Sequence, residues 1–446
     1  MGRHAWTLVL SALACLLGVS PAAAQAPAPV PKMVEIADRD ARATCRYATA
    51  RAECQPEASA GAVDAFEGSW AHRALVFQHS LGDDVGFGDA PWAATHNSYN
   101  SIAEMGPALS ALDSNHQLTL RDQLRIGIRS LEIDVHRFRG ENVVCHARGA
   151  NEGHAGCSVE KELAATLAPV VAWVEEHPGH VLMLYLEDHM GDAAGYDEAA
   201  ATVRAAFGDA LYAPSPGAGT GCQVLPTALT RDDVLAAGAS VFVVSDCGPG
   251  SGWRTVAFDW GPMHDEAQPD AFDPQTCGPF ARARLSRFYE DSTGLSYGVA
   301  RASGDAEPAK MTPAITRAMV RCGIDHIGFD QLVPGDGRLD ALMWSWRSGE
   351  PSSSGDCAVQ GSDGRWSAGS CSTKRRVACR APSGAWSVSR KPAFARRAAR
   401  ACPDGTRPAT PRTGYENAQL RAAARDEPVL LALQRTGTTW HPTDPR

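Results

Sequence analysis

Short apolar runs alternate with helical patterns along the chain from about residue 90 onward. Such runs are typical of strands in a parallel sheet that helices cover on its outer face. They span residues 92–94, 130–135, 142–145, 181–186, 240–244, 255–258, 295–299 and 326–329. Residues 160–176 instead carry apolar side chains at helical spacing and stop before Pro178 and Gly179, which predicts a helix.

The repeated order of strand and helix predicts an α/β fold. Repetition over about 250 residues favours a TIM-type (β/α)8 barrel. A doubly wound sheet is the structural alternative. The Gly-x-Gly-x-x-Gly signature that such sheets often carry after the first strand is missing here. We therefore expect a barrel domain over residues 41–339.

The N-terminus has the pattern of a secretory signal. Residues 1–24 combine a weakly basic start, an apolar stretch and a small-residue cleavage site, and residues 25–40 are an Ala- and Pro-rich lead-in. A membrane anchor is the alternative, although the apolar run is shorter than the ~20 residues of a spanning helix. Lipidation of Cys15 is the other form that an anchor would take. We expect secretion to an extracellular or periplasmic location and no transmembrane segment.

Removing Cys15 with the signal leaves an even number of cysteines, which in an exported chain suggests disulfides. Cys45 with Cys54 and Cys145 with Cys157 are plausible partners because they are neighbours in sequence. Sequence alone does not fix the connectivity. No Cys-x-x-Cys pair is present, so a zinc or redox site is the less favoured interpretation.

Charge is distributed unevenly between the two parts of the chain. Residues 340–446 carry 17 Lys and Arg against 9 Asp and Glu, whereas residues 1–339 carry 25 against 42. The basic C-terminal part is therefore a candidate for contact with anionic lipid or an anionic polymer. A solvated, arginine-rich surface without a ligand is the alternative interpretation.

Polar side chains with catalytic potential follow or end the first four apolar runs. In a barrel the ends of successive strands meet at one mouth, and residues two apart on a strand point to the same side. An unpaired carboxylate in such apolar surroundings would cost several kcal/mol, which a cation would offset. The candidates are His96, Asn97, Glu132, Asp134, His146 and Glu187.

Four segments of the chain resemble the catalytic X-region of phosphoinositide-specific phospholipases C, including the calcium-dependent bacterial type. The resemblance covers roughly residues 90–190 and becomes faint beyond them. Its parts are Thr-His-Asn-Ser-Tyr at 95–99, the stretch from Leu120 through Gly127-Ile128-Arg129 to Leu131-Glu132-Ile133-Asp134, Val144-Cys145-His146, and Leu184-Tyr185-Leu186-Glu187-Asp188-His189.

This resemblance implies a role for each candidate residue. His96 is the implied general base and His146 the implied general acid, and the implied Ca²⁺ ligands are Asn97, Glu132, Asp134 and Glu187. Relatives that work without metal place an arginine where Asp134 stands, so the carboxylate favours the metal-dependent type. Asp330 is a candidate to orient His96, and equally a helix cap. The histidines at 136, 154 and 189 are expected at the surface or behind the catalytic residues.

The C-terminal residues 340–446 change to a texture rich in Trp, Cys, Ser and Arg, with little helical periodicity. Segments from Trp344 to Cys379 resemble the second half of a C-type-lectin-like domain, and segments from Cys402 to Trp440 resemble its first half. The resemblance implies a circularly permuted, disulfide-braced α+β domain with bridges Cys357–Cys371 and Cys379–Cys402. Two truncated modules or an ordinary disulfide-rich tail are the alternatives.

Together these features predict a secreted, calcium-dependent phosphodiesterase of the phosphatidylinositol phospholipase C type. The expected substrate is an inositol phospholipid at a membrane surface, cleaved through a cyclic phosphate; another phosphodiester is the alternative substrate. Arg137 and Arg148 are candidates to bind ring phosphates. The C-terminal domain is expected to contact a cell-surface glycan or an anionic polymer other than nucleic acid. The rival function is that of a catalytically silent barrel that presents this domain.

Overall fold

The computed structural model describes residues 58–105, 114–146, 161–215, 221–261, 264–278, 286–291 and 311–444. The predicted signal and lead-in, Cys45, Cys54, Arg148, His154, Cys157 and the strand expected at 295–299 lie outside these residues. No helix among those described has the length and apolar character needed to cross a bilayer.

Strands β1–β9 form one sheet. Their bounds are β1 Trp92–Thr95, β2 Ser130–Phe138, β3 Glu141–Val144, β4 Leu182–His189, β5 Val241–Ser245, β6 Ala257–Asp259, β7 His264–Ala267, β8 Ser286–Glu290 and β9 His326–Phe329.

The helices of the same part of the chain are mostly short. Their bounds are α1 Ala60–Glu67, α2 Trp70–Leu81, α3 Ile102–Met105, α4 Leu120–Arg125, α5 Leu163–Glu176, α6 Ala193–Phe207, α7 Arg231–Ala236, α8 Pro313–Cys322 and α9 Gly337–Leu342, with 3₁₀ turns at Gly208–Ala210, Trp253–Thr255 and Pro269–Ala271.

Eight of the nine strands are parallel and follow one another around a curled sheet. Their order is β6-β5-β4-β2-β1-β9-β8-β7, so that β1, the first strand of this sheet in chain order, pairs with β9, its last. A doubly wound sheet instead reverses its order at a switch point. The sheet is therefore a half-barrel whose ends are β6 and β7, and the described residues show no pairing between these two.

The strand over residues 142–145 differs from expectation. β3 pairs only with β2 and runs antiparallel to it, with Val144 opposite Val135. A tight turn at Arg139 and Gly140, both with positive φ, joins the two strands into a hairpin. β3 is thus an addition to the parallel sheet, and it carries the chain back towards the level of Asp134.

Local sequence explains most of the element boundaries. The strands β4 and β5 are apolar runs buried on both faces, as expected inside a parallel sheet. The predicted helix at 160–176 is α5, which ends at Glu176 ahead of Pro178. Thr312 caps the start of α8, and Gly323, in the left-handed conformation, ends that helix.

Residues 343–444, named here the C-terminal module, form a second sheet. Its strands are β10 Cys357–Gln360, β11 Trp366–Gly369, β12 Arg376–Arg380, β13 Trp386–Val388, β14 Arg407–Pro408, β15 Val429–Thr436 and β16 Thr439–Pro442, with helix α10 Gly414–Ala424 and a 3₁₀ turn at Ala395–Arg400.

The helix α10 was not expected from the pattern of the C-terminal residues. Its alanines give weak amphipathic periodicity, but Thr413 accepts a hydrogen bond from the Glu416 N–H and caps the helix. The disulfides Cys357–Cys371 and Cys379–Cys402 are present, as the resemblance implied. Two more, Cys222–Cys247 and Cys277–Cys322, tie loops of the first sheet, and Cys145 is also disulfide-bonded.

The C-terminal module packs on α2 and α8. One apolar cluster joins Leu81 and Val320 to Trp344, Trp366 and Leu420. The Gln78 side chain adds two buried hydrogen bonds, since its amide donates to the Leu342 carbonyl at 2.9 Å and its carbonyl accepts from the Trp344 N–H at 3.0 Å. The module therefore lies at the end of the barrel where the parallel strands begin, and the site described next lies at the end where they finish.

Candidate active site

The carboxyl ends of β1, β2, β4, β8 and β9 surround one mouth, as expected for a curled parallel sheet. His96 and Asn97 follow directly after β1. Asp134 on β2 is the register partner of Glu187 on β4, so the strand pairing itself brings these two carboxylates together. Five of the six residues singled out from the sequence, all except His146, thus come from parallel strands at this mouth.

Three carboxylates form the centre of the site. Ligand oxygens of Glu132, Asp134 and Glu187 all lie within 4.8 Å of one another. Glu132 accepts a hydrogen bond from the Asn97 N–H at 3.0 Å, and Asp134 accepts one from the Tyr99 hydroxyl at 2.9 Å. Burial, followed by the charges of Glu187 and Glu132, raises the pKa of Asp134 well above its ordinary value.

The Asn97 amide lies between this cluster and His96. In one orientation its Nδ2 contacts His96 Nε2 at 3.0 Å, while its Oδ1 faces only the acceptor oxygens of Asp134. Turning the amide over lets its nitrogen donate to both Asp134 oxygens, at 3.0 and 3.1 Å, and its oxygen accept from His96 Nε2 at 3.0 Å. In the turned orientation both polar atoms of the amide have hydrogen-bond partners within the protein. In the first orientation the amide oxygen instead joins the oxygens of the three carboxylates.

The oxygen-rich cluster fits a hard divalent cation. Ca²⁺ is bound in proteins by carboxylate and amide oxygens, which are the atoms that Glu132, Asp134, Glu187 and Asn97 offer. Burial of Asp134, followed by repulsion from Glu187 and Glu132, raises its pKa, and a cation would offset both costs. His96, Glu132 and Glu290 form a second group of ligand atoms within 4.8 Å of one another, which shares Glu132 with the first group.

The imidazole of His96 is held by Asp330, which follows β9. Its Nδ1 lies 3.2 Å from Asp330 Oδ1, and its Nε2 lies 3.8 Å from Glu290 Oε1. Burial acts to lower the pKa of His96, but the charges of Glu290, Asp330 and Glu132 outweigh burial and raise it well above the ordinary value. When Nδ1–H donates to Asp330, Nε2 faces the mouth and is the nitrogen available for proton transfer.

A second layer of buried side chains fixes Asp330 and His96. Asn115 Nδ2 donates to Asp330 Oδ2 at 3.1 Å, and His116 Nε2 lies 2.6 Å from the His96 carbonyl oxygen, to which it donates. Burial lowers the pKa of His116 to about 4, so this ring is neutral at physiological pH. His116 therefore supports the backbone of His96 and is not itself charged.

His146 reaches the site by a different route from the other candidates. It follows β3, the antiparallel strand of the hairpin, and its side chain is exposed. Its positive charge acts to lower the pKa of Asp134, against the larger effect of burial, so the two side chains are within electrostatic range. The hairpin rather than a barrel strand thus delivers the implied general acid.

Two other histidines near the motifs lie beside the carboxylates. His189 Nε2 donates to Glu187 Oε1 at 2.9 Å, and its ring stacks on that of the buried His136 with centroids 4.5 Å apart. Burial acts to raise the pKa of Glu187, but the His189 hydrogen bond and charge bring it below the ordinary value. Arg137, which the sequence suggested for ring phosphates, is instead ion-paired with Glu198.

Sequence reasoning missed Glu290 and left Asp330 outside the catalytic set. Glu290 ends β8, whose residues Ser286–Glu290 lack the long apolar run that marked β2, β4 and β5. Its signal was the sequence Phe-Tyr-Glu-Asp at 288–291, a strand end of the same kind as Tyr-Leu-Glu-Asp at 185–188. Only the pairing of β1 with β9 shows that Asp330 adjoins His96.

Comparison with known proteins gives a family match over most of the barrel. Residues 55–336 match the family model described as the Rv2075c PI-PLC-like domain. The chain is 38% identical over 387 residues to two Mycobacterium tuberculosis proteins, uncharacterized protein Rv2075c of strain H37Rv and uncharacterized protein MT2135 of strain CDC 1551. Each alignment covers 81% of this chain and 79% of the relative.

Solved structures with detectable similarity include bacterial phosphatidylinositol-specific phospholipases C. The enzyme from Listeria monocytogenes is 12% identical with a TM-score of 0.39, over 60% of this chain and 97% of that one. A structure of the Staphylococcus aureus enzyme is 12% identical with a TM-score of 0.39, over 61% of this chain and 98% of that one. The S. officinalis protein PLC21 is 10% identical with a TM-score of 0.36, over 67% of this chain and 42% of that one.

Proposed function

The chain belongs to the Rv2075c PI-PLC-like domain family, and from this membership and the site we propose that it is a phospholipase-C-like phosphodiesterase of inositol lipids. The observation that carries the proposal is the position of His96, held by Asp330 on one side and adjoining the three carboxylates on the other. A base beside a cation site is an arrangement suited to cleavage of a phosphodiester by a neighbouring hydroxyl.

The carboxylate charges that raise the pKa of His96 would be offset with a cation bound among them, which would leave the ring neutral. In the proposed first step, His96 Nε2 then accepts the proton of the inositol hydroxyl next to the phosphate ester. The hydroxyl oxygen forms a bond to phosphorus while the bond from phosphorus to the lipid oxygen breaks. His146 gives its proton to that leaving oxygen, so a diacylglycerol and a cyclic inositol phosphate result. Asp330 holds His96 through Nδ1 and stabilises the imidazolium that forms.

In the proposed second step the two histidines exchange roles. His146, now neutral, accepts a proton from water while the water oxygen attacks phosphorus. His96 returns its proton to the inositol oxygen of the cyclic phosphate as the bond from that oxygen to phosphorus breaks. The ring opens to an inositol monophosphate and both histidines regain their initial states. Ca²⁺ bound by Asn97, Glu132, Asp134 and Glu187 would stabilise negative charge on the phosphate oxygens and lower the pKa of the attacking hydroxyl.

We propose that the protein acts outside the cytoplasm. The disulfides Cys222–Cys247, Cys277–Cys322, Cys357–Cys371 and Cys379–Cys402 support this location, because such bonds persist in oxidising compartments. The two bridges of the C-terminal module also support its interpretation as a permuted C-type-lectin-like domain. In the proposal this domain contacts a cell-surface glycan or anionic polymer while the barrel acts on lipid.

The test is release of cyclic inositol phosphate from vesicles of phosphatidylcholine and labelled phosphatidylinositol. We expect His96→Ala and His146→Ala each to lower turnover by about 10²–10⁴-fold, since each removes a proton carrier. His441→Ala, an exposed histidine on β16, is the matched control and should keep full turnover. Circular dichroism checks that all three variants fold.

Three outcomes would each overturn a part of the proposal. Unchanged turnover in a folded His96 or His146 variant would refute the assigned roles. No release from phosphatidylinositol by the unmodified protein, with release from another phosphodiester lipid in the same panel, would refute the substrate class and keep the enzyme class. Activity that a chelator leaves untouched would refute the metal.

A further inference from the structure

A cavity of about 420 Å³ lies at the junction of the barrel and the C-terminal module, far from the mouth. Its walls are one face of α8, the segment that follows α9, the turn at 363–365 and the face of α10 from Gly414 to Ala422, together with Asp426. The α8 helix leads into the first residue of β9, and Asp330 of the catalytic site follows the last one. The cavity and the site are thus at opposite ends of the same strand.

Four arginines from three different elements line this cavity, which we name the arginine cavity: Arg317, Arg321, Arg365 and Arg421. Arg317 and Arg321 are four residues apart on α8 and so share one face of the helix. Arg365 comes from the turn at 363–365 and Arg421 from α10. Convergence of basic side chains across a domain junction brings positive charge to one small space.

The carboxylates of the arginine cavity neutralise only part of this charge. Asp363 is paired with Arg347 at 2.9 Å, and Asp426 is paired with Arg421 at 2.8 Å. Across the part of the chain that the structure describes, no ion pair is recorded for the guanidinium groups of Arg317, Arg321 or Arg365. Three positive charges at the cavity are therefore left without a carboxylate partner there.

Holding these cations together has an electrostatic cost. The Arg365 side chain is half-buried, and burial followed by the charge of Arg317 lowers its pKa, although Asp363 and Asp340 act in the opposite direction. Arg317 and Arg321 are exposed to solvent, so screening of the like charges is weakest at Arg365. An anion bound between the arginines would attract each of them and so offset their mutual repulsion. On an arginine-rich surface without a ligand, we would expect the guanidinium groups to lie further apart.

The walls of the arginine cavity are formed by rigid elements. Asn417 is buried at its base, where Nδ2 donates to the Gly364 carbonyl at 2.9 Å and Oδ1 accepts from Trp366 Nε1 at 2.8 Å. Gly364 has φ of +81°, and a Cβ there would lie 3.2 Å from Arg421 Cδ. The turn that carries Arg365 is therefore fixed against α10, and a preformed site loses little entropy on binding.

We propose that the arginine cavity binds a phosphate monoester. Guanidinium groups match the oxygens of a phosphate with two parallel hydrogen bonds, and the dianion of a monoester balances two of the three unpaired charges. The volume suits a phosphate with a small organic group and excludes a folded protein partner. The monoester belongs either to a soluble metabolite or to the headgroup of an anionic lipid, and it binds at a distance from the catalytic mouth.

The test uses the full chain and two probes that carry the same chemical group. Isothermal titration with glycerol 3-phosphate measures the soluble form, and sedimentation with phosphatidylcholine vesicles that contain phosphatidic acid measures the lipid form. We expect Arg365→Gln and Arg317→Gln each to weaken binding by about tenfold, the typical value of one charge-assisted hydrogen bond. Arg397→Gln, an exposed arginine of the same module outside the cavity, is the charge-matched control.

Each result either supports or overturns the site. Saturable binding of glycerol 3-phosphate that the cavity variants weaken and the control keeps supports a soluble ligand. The same pattern with vesicles only supports a lipid headgroup. Absence of binding to both probes, or equal loss in the Arg397→Gln control, overturns the proposal. Thermal unfolding checks that the variants fold, and turnover of phosphatidylinositol in detergent micelles separates this outcome from failure of the proposed catalytic function.

Discussion

At the scale of single residues, the buried carboxylate Asp134 is suited to binding a cation but reduces the stability of the cation-free fold. Its pKa is raised from 3.8 by burial and by Glu187 and Glu132. The folded protein therefore holds the Asp134 proton more tightly than the unfolded chain does. As pH rises above the unfolded pKa, the unfolded chain releases this proton while the folded protein still holds it. The free energy of unfolding therefore falls with rising pH until the folded pKa is passed. A cation at the cluster is the means to offset it.

Substitution of this carboxylate gives a prediction for calcium. We expect Asp134→Asn to raise the melting temperature of the calcium-free protein at pH 7, because a neutral amide removes the repulsion while still accepting the Tyr99 hydrogen bond. Calcium should then stabilise the unmodified protein and not the variant. Thermal unfolding with a chelator and with added calcium measures both effects.

The control for this substitution is Asp192→Asn, an exposed carboxylate that caps α6 and is not one of the proposed calcium ligands. It should keep the full calcium-induced shift of the unmodified protein. Equal stabilisation of Asp134→Asn and unmodified protein by calcium would show that Asp134 does not take part in binding the ion.

At the scale of elements, the β2–β3 hairpin decides where the implied general acid lies. Asn142 on β3 is buried and ties the hairpin to the start of α6, since its Nδ2 donates to the Gly195 carbonyl at 2.9 Å. Gly195 itself fits only without a side chain, because a Cβ there would lie 2.8 Å from the Met190 carbonyl oxygen. This hydrogen bond holds the hairpin against α6. Because His146 follows β3, the same contact fixes the position of His146.

Loss of the Asn142 contact should affect turnover more than substrate binding. We expect Asn142→Ala to destabilise the protein by about 1–3 kcal/mol, the cost of a buried carbonyl left without its donor. It should lower kcat for phosphatidylinositol with little change in KM, because His146 is displaced while the carboxylate cluster is intact. Urea unfolding and steady-state kinetics measure the two effects.

Glu141→Ala, an exposed position on the same strand, is the matched control and should change neither quantity. A normal kcat in Asn142→Ala would show that the hairpin does not position a catalytic group.

At the scale of the whole molecule, close packing at α8 and α10 fixes the C-terminal module to the barrel. Gly414 begins α10, and a Cβ there would lie 2.3 Å from Val320 Cγ1 and 2.9 Å from the Val320 carbonyl oxygen. The ion pair between Arg412 and Asp84, at 3.2 Å, crosses the same junction. The arginine cavity depends on this junction, since its walls come from both sides of it.

The junction can be tested by adding one methyl group. We expect Gly414→Ala to destabilise the protein by about 1–3 kcal/mol, the usual cost of overpacking a tight contact. Gly179→Ala is the control, because no atom lies within 4 Å of the added carbon there. Urea unfolding followed by tryptophan fluorescence measures both, and equal midpoints for Gly414→Ala and the unmodified protein would contradict the tight junction.

Local sequence determined the features that depend on neighbours in the chain. The apolar runs of β1, β2, β4, β5 and β9 and the end of α5 were predicted, and the alternation of strand and helix indicated an α/β fold. The strands β7 and β8 were not predicted, because His-Asp-Glu-Ala and Ser-Arg-Phe-Tyr-Glu carry too few apolar residues to mark a strand. Their strand conformation depends on partners in the sheet rather than on their own composition.

For the site, the sequence by itself determined which strand ends carry His96, Glu132, Asp134 and Glu187, because alternation along a strand fixes the side that each residue faces. Only the tertiary structure decided the partners. Asp330 meets His96 across 234 positions of chain because β1 pairs with β9. His146 enters on an antiparallel hairpin, and the arginine cavity exists only where the barrel and the C-terminal module meet. Such contacts are set by the order and curvature of the sheet, which no local pattern encodes.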